Sequence, residues 1–228
     1  MGAKIRWHSA ILFFLLASSC AQDNYEKGEG EYSLMRGDFV EAQADANKQL
    51  VSIRTDDGDE LSLTKPYSAK WITKADTIYR CMLYYNKVKD EKGKSQAEII
   101  SLAQVPCPSL KTRADFDKEI RTDPVKFESV WLSRSGKYLN LYLQLKTGAT
   151  DDTAAVQQLA FLTDTLMQNG DGSRTHRILL HHDQNRVPEY YSTKAYISIP
   201  TVTIAADSVC LYINSYSGPV VKTLPLRK

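Results

Sequence analysis

The chain has 228 residues, 29 Lys and Arg against 27 Asp and Glu, a formal charge of +2, and 43% hydrophobic residues. That length suffices for one large or two small packed domains. Bases lie interleaved with acids, as in "KVKDEKGK" and "KTRADFDKEIR", which argues against a nucleic-acid binder, since such proteins carry a basic patch or stripe.

The N-terminus carries Lys4 and Arg6, then the apolar run from Ala10 to Ala17. A positive start and a short apolar stretch make an export signal; the run falls short of the roughly 20 apolar residues that a bilayer span needs. It ends in Leu16-Ala17-Ser18-Ser19-Cys20, which resembles the bacterial lipobox. In that motif the Cys thiol is lipidated and the chain is cut just before it. Residues 1–19 are therefore expected to be a lipoprotein signal peptide and Cys20 the lipid attachment site, with residues 20–30 a polar tether. More than one acyl chain anchors a protein stably. Loss of Lys4 and Arg6 leaves 27 basic and 27 acidic side chains, a net charge of zero.

Residues 31–107 are expected to form an N-terminal five-stranded OB-like barrel. β-rich runs fall at residues 32–43, 50–54, 60–64, 77–88 and 98–105, with turn residues at Asp57-Gly58 and Glu91-Lys92-Gly93-Lys94 where hairpins need them. Five strands in about 75 residues suit a small closed barrel. Residues 108–122, highly charged and flanked by prolines, read as a linker with a short helix near Asp115 to Ile120.

Residues 123–228 are expected to form an antiparallel β-sandwich, so the whole chain is all-β. Seven short strands fall at residues 127–133, 137–146, 156–165, 175–182, 195–199, 208–215 and 220–224, with Gly-bearing turns at "SRSG", "NGDGS" and "YSGP". In "KYLNLYLQLK" the two-residue period puts Leu139, Leu141, Leu143 and Leu145 on one face and Tyr138, Asn140, Tyr142 and Gln144 on the other.

With these elements in place, Asp123-Pro124-Val125, Trp131, Tyr138-Leu139-Asn140-Leu141 and the late strand "DSVCLYI" resemble the NigD-like lipoproteins of Bacteroidetes. The resemblance covers essentially the whole mature chain. It implies an N-terminal OB-like domain, a C-terminal β-sandwich and an envelope address, and it carries no mechanism, because none of the matching residues is catalytic. Only one acid stands in Ala21-Gln22-Asp23-Asn24, fewer than surface-exported lipoproteins of these bacteria often carry. An outer-membrane location is expected, with the periplasmic and surface faces both open.

The chemistry-bearing residues are sparse. Gly-x-Ser-x-Gly, His-Glu-x-x-His, the P-loop and Gly-x-Gly-x-x-Gly are all absent. His176, His181 and His182 share one strand, where alternation sends His181 to the opposite face and sets the other two about 20 Å apart; they read as a solvated strand end rather than a metal site. The pairs Asp56-Asp57, Asp59-Glu60 and Asp151-Asp152 sit at turns, where Asp is favoured for local hydrogen bonds. Cys81, Cys107 and Cys210 read as packing residues, with a Cys81–Cys107 bridge as the second choice. No metal is expected, and no cofactor beyond the covalent lipid on Cys20.

One candidate binding face remains. Tyr138, Asn140 and Tyr142 are echoed by Tyr212, Asn214 and Tyr216, and rings alternating with amides can stack sugars or contact a protein. Were the two strands neighbours, they would form one patch. The reading is a non-enzymatic, lipid-anchored envelope module that binds an envelope protein or a glycan; the alternative is a hydrolase with an unrecognised carboxylate site.

Overall fold

The computed structural model describes residues 34–226; Cys20, the leader and the tether lie outside them. Thirteen strands and one short 3-10 turn at Thr201–Thr203 make up the described secondary structure.

The barrel comprises β1 (Met35–Ala44), β2 (Leu50–Thr55), β3 (Glu60–Tyr67), β4 (Ile78–Lys89) and β5 (Ser95–Gln104). It is closed, in the order β1-β2-β3-β5-β4, with β1 and β4 pairing antiparallel at the seam of closure. The period of two sorts each strand: Val40, Ala42 and Ala44 point inward from β1, and Cys81, Leu83 and Tyr85 from β4. Alanines suit the inside of a narrow barrel, where space for side chains is limited. The Tyr85 hydroxyl donates to Asp38 Oδ2 at 3.0 Å; burial and then the Asp38 carboxylate push its pKa up to about 12. At Gly58, φ is 93°, the left-handed turn conformation that glycine adopts without steric cost.

The second half holds β6 (Lys111–Thr112), β7 (Lys126–Leu132), β8 (Tyr138–Thr147), β9 (Gln158–Gln168), β10 (Arg174–Asp183), β11 (Tyr191–Pro200), β12 (Ser208–Ser215) and β13 (Gly218–Pro225). Two sheets form, β13-β12-β10-β9-β6 and β11-β8-β7. Leu139, Leu141 and Leu143 are fully buried, and they share one core with Phe161, Ile178, Val209, Leu211 and Ile213 of the other sheet. Burying such side chains contributes about 1.5–3 kcal/mol each before entropy is counted.

The segment expected as a linker with a helix is instead a strap laced onto the sandwich. No helix forms at residues 115–120. β6 pairs with β9 in parallel, and Thr122 and Val125 bridge to His182 and Ser215. Asp123 N–H donates to His182 O, His182 N–H to Arg121 O, and Val125 N–H to Asn214 O. Both ends of the segment are tied to the sheets by main-chain bonds, so residues 115–120 run between fixed points instead of coiling into a helix. The strap also changes the histidine reading: His181 and His182 are buried, at 2% and 1% exposure, because this segment covers the strand end expected to face solvent. Cys81, Cys107 and Cys210 are all free thiols.

Candidate functional site

The outward faces of β1 and β4 carry Phe39, Glu41, Arg80 and Met82, alternating with the barrel-core residues. The face of β8 opposite its leucines carries Tyr138, Asn140 and Tyr142, and β11 adds Tyr196 and Ser198. These two surfaces meet in a seam between barrel and sandwich.

Arg80 is its centre, with a side chain only 2% exposed. Its Nη1 and Nη2 donate to Asp56 Oδ1 and Oδ2 at 2.7 and 2.6 Å, its Nη2 also to Asn140 Oδ1 at 3.2 Å, and its Nε to Ser198 Oγ at 3.2 Å. Ser198 Oγ donates to Asn140 Oδ1 and Asn140 Nδ2 to Asp56 Oδ2, which closes the network. The guanidinium lies over the Tyr138 ring, 4.1 Å from its centroid. A buried charge is tolerated only when it is paired and its hydrogen-bonding groups are occupied, and residues from both halves are needed here. At the edge of the seam Glu41 accepts from Lys137 Nζ and the Tyr138 hydroxyl. Burial works against its charge, but those two hydrogen bonds outweigh it and hold the Glu41 pKa below its ordinary value.

Beside the seam opens a cleft of about 580 Å³. Its apolar walls are Phe39, Met82, Trp131, Tyr142 and Tyr196, and Asp38, Asp57 and Arg134 stand at its polar positions. Phe39 meets Trp131 and Tyr196 edge-on at 5.5 and 5.6 Å, and Tyr142 and Tyr196 lie 4.9 Å apart, within the range of favourable aromatic pairs. Gly37 also lines the cleft; a Cβ there would come within 2.9 Å of the Tyr84 ring. The polar groups are engaged: Asp56 with Arg80, Asp57 with Arg134 at 3.1 Å, Asp38 with Tyr85, and Ser133 Oγ with the Tyr138 N–H. Ring faces beside a charged rim can hold a ligand with both apolar and hydroxyl or amide surface.

The six residues expected to form one face divide into two groups. Tyr138, Asn140 and Tyr142 lie in or beside the seam, Asn140 fully buried. Tyr212 and Asn214 belong to β12, in the opposite sheet, and Tyr216 follows in the turn just past it, so the outer faces of the two strands point to opposite sides of the sandwich. There Arg177 lies over the Tyr212 ring, Asn214 Nδ2 donates to Thr122 O, and the Tyr216 hydroxyl donates to Glu189. No single tyrosine patch forms. Burial pushes the Tyr216 pKa up to about 12, with the Glu189 carboxylate adding to it. Arg80 and Tyr196 are site residues that sequence reasoning missed; one arginine inside the apolar run "IYRCMLYY" was the available signal. Among the described residues no group of three or more His, Cys, Asp or Glu could hold a metal ion. Cys20 lies outside the described residues.

No family model and no curated protein matches the chain. Solved structures do. A NigD-like immunity protein from Bacteroides caccae is similar with a TM-score of 0.64 and 24% identity, over 83% of this chain and 91% of that one. A Bacteroides vulgatus protein of unknown function gives 0.62 at 12% identity over 84% and 90%, and a candidate lipoprotein from Bacteroides fragilis 0.59 at 8% over 85% and 99%. The fold is thus the one the NigD-like resemblance implies.

Proposed function

We propose that this is a non-enzymatic, lipid-anchored envelope protein that binds a glycan or protein partner in the aromatic cleft beside the seam. One observation carries the reading: Trp131, Tyr142 and Tyr196 line an open cleft whose walls are fixed by the buried Arg80 network. Pre-set aromatic walls lose little entropy on binding, and Trp and Tyr are the residues that most often dominate binding energy. The prior engagement of Asp38, Asp56 and Asp57 favours binding over hydrolysis, which needs a carboxylate free to move a proton.

The anchor rests on the leader ending in Leu16-Ala17-Ser18-Ser19-Cys20 and on the fold shared with the Bacteroides fragilis candidate lipoprotein. No described helix is long and apolar enough to cross a membrane. The similar Bacteroides caccae structure is a NigD-like immunity protein, and this likeness is the support for keeping a protein partner beside glycans in the proposal.

The test is capture from the producing envelope by the purified protein, with Trp131→Ala in parallel. Glycosidase and protease treatment of the envelope fraction separate the two partner classes. Capture lost with Trp131→Ala supports the cleft, and equal capture by both proteins refutes it.

A further inference from the structure

The strap does more than cover β10. Two cavities adjoin beneath it, with Pro108 and Leu159 lining both. The first, about 500 Å³, is walled mainly by apolar side chains, among them Val105, Phe161 and Ile197, and no acidic residue lines it. The second, about 380 Å³, mixes apolar residues such as Phe116 and Ala160 with the polar Ser109, Lys111, Lys118 and His181. Both volumes fall in the range of small-molecule sites.

His181 fixes the chemistry of the second cavity. It is 2% exposed, and its Nδ1 accepts the Arg121 N–H at 3.0 Å. An accepting ring nitrogen has its lone pair free, so in the neutral ring the proton sits on Nε2. That Nε2 is buried without a hydrogen-bond partner. A buried donor left unpaired is costly, and a native protein that keeps one calls for an explanation. The Phe116 ring stands edge-on to the His181 ring at 4.7 Å, with the Lys111 ammonium 5.8 Å from the Phe116 centroid; Lys118 and Ser109 line the same cavity, with Asp117 the one acid in the lining. Lys118 also donates to Gln158.

We infer that the strap closes over a hydrophobic carboxylate: the carboxylate sits among His181 Nε2–H, Lys118 and Lys111, and the apolar body passes Leu159 and Pro108 into the neighbouring cavity. A carboxylate only accepts hydrogen bonds, which matches a donor-rich cavity, and charge-assisted bonds are the stronger class. The apolar cavity supplies the hydrophobic part of the affinity. The apolar cavity shares Met82 and Tyr196 with the aromatic cleft, whereas Lys111, Lys118 and His181 line no part of that cleft, so variants at these three residues test this site apart from the cleft.

Titration calorimetry with decanoate tests it. Both hydrophobic cores lie within residues 34–226, so the protein is used without its leader. Decanoate binds saturably at one site per chain, and decanol, which lacks the charge, binds at least about tenfold more weakly, the scale of one charge-assisted hydrogen bond. The double variant Lys111→Ala/Lys118→Ala loses affinity by at least the same factor at an unchanged melting temperature, since both side chains are on exposed residues. His181→Asn keeps an acceptor for the Arg121 N–H, removes the Nε2 donor and weakens decanoate further. Absence of saturable binding, equal binding of decanoate and decanol, or undiminished binding by the double lysine variant each overturns the inference. Should His181→Asn fail to fold, the lysine variant and the decanol comparison decide.

Discussion

Arg80 and Asn140, 60 residues apart in sequence, meet at 3.2 Å in the closed interior between barrel and sandwich. Each is buried, each belongs to a different half, and each also contacts Asp56. Removing one member of such a network leaves the others buried without partners. Arg80→Ala should therefore lower stability by about 3–5 kcal/mol, the usual cost of orphaning a buried ion-pair partner. Denaturant unfolding checks this; a loss below about 1 kcal/mol would mean that the seam is wet and weakly coupled.

The two groups of tyrosines should separate in a mutant series. Tyr142 is half-buried against Tyr196 beside the seam, so Tyr142→Ser should cost about 1–3 kcal/mol as a partly buried large-to-small change. Tyr212 is half-buried as well, under Arg177 on the outer side of the other sheet, but it lies away from the seam, and Tyr212→Ser should cost less than Tyr142→Ser. Thermal melts of the two single variants make the comparison, and equal costs would contradict a larger packing role for Tyr142 beside the seam.

Acid should loosen the seam through Glu41. Its folded pKa lies below the ordinary value of 4.5, so the unfolded chain takes up a proton first as pH falls. The stability that Glu41 contributes is complete above 4.5 and is lost as pH drops through the folded value. Glu41→Gln, which keeps an acceptor for Tyr138, should flatten that part of the melting-temperature profile. An unchanged slope would show that Glu41 is not coupled to folding.

His181 should act in a higher window. Burial lowers its pKa from 6.5, so the unfolded state binds the proton more readily, and stability declines as pH falls from 6.5 toward the folded value. Protonation would put a hydrogen on Nδ1, against the Arg121 N–H that it now accepts. Trypsin should then cut at Lys118 or Arg121 faster at about pH 5.5 than at neutrality, and His181→Asn should remove most of that difference. Correction for the pH dependence of trypsin itself uses an unfolded substrate. Even after the cut, size-exclusion chromatography should find barrel and sandwich together, because the seam spans both.

Local pattern made most of the strands legible. β12 falls where alternation places it, at Ser208–Ser215, and the leucine face of β8 is core as the period of two requires. What lies against the opposite face of β8 was not legible, because Phe39, Arg80 and Met82 are spread over two strands and nothing in their spacing indicates which surface they meet. The strap was missed for a related reason. Two residues, Lys111 and Thr112, are too few to show a period, and its charged side chains stay exposed while its backbone joins the sheet. Charge composition reports on side chains, and the strap joins the sheets through its main chain.

Emission from Trp131 gives the most direct measurement of the proposed binding cleft. The sequence has three tryptophans, Trp7, Trp71 and Trp131, so the leaderless protein with Trp71→Phe carries one, in the cleft wall. Titration with the partner recovered from the envelope should produce a saturable change in Trp131 emission, at the same midpoint as binding followed by calorimetry. A partner that binds with full affinity while Trp131 emission stays constant would place the interaction elsewhere on the protein and contradict the proposed role of the cleft.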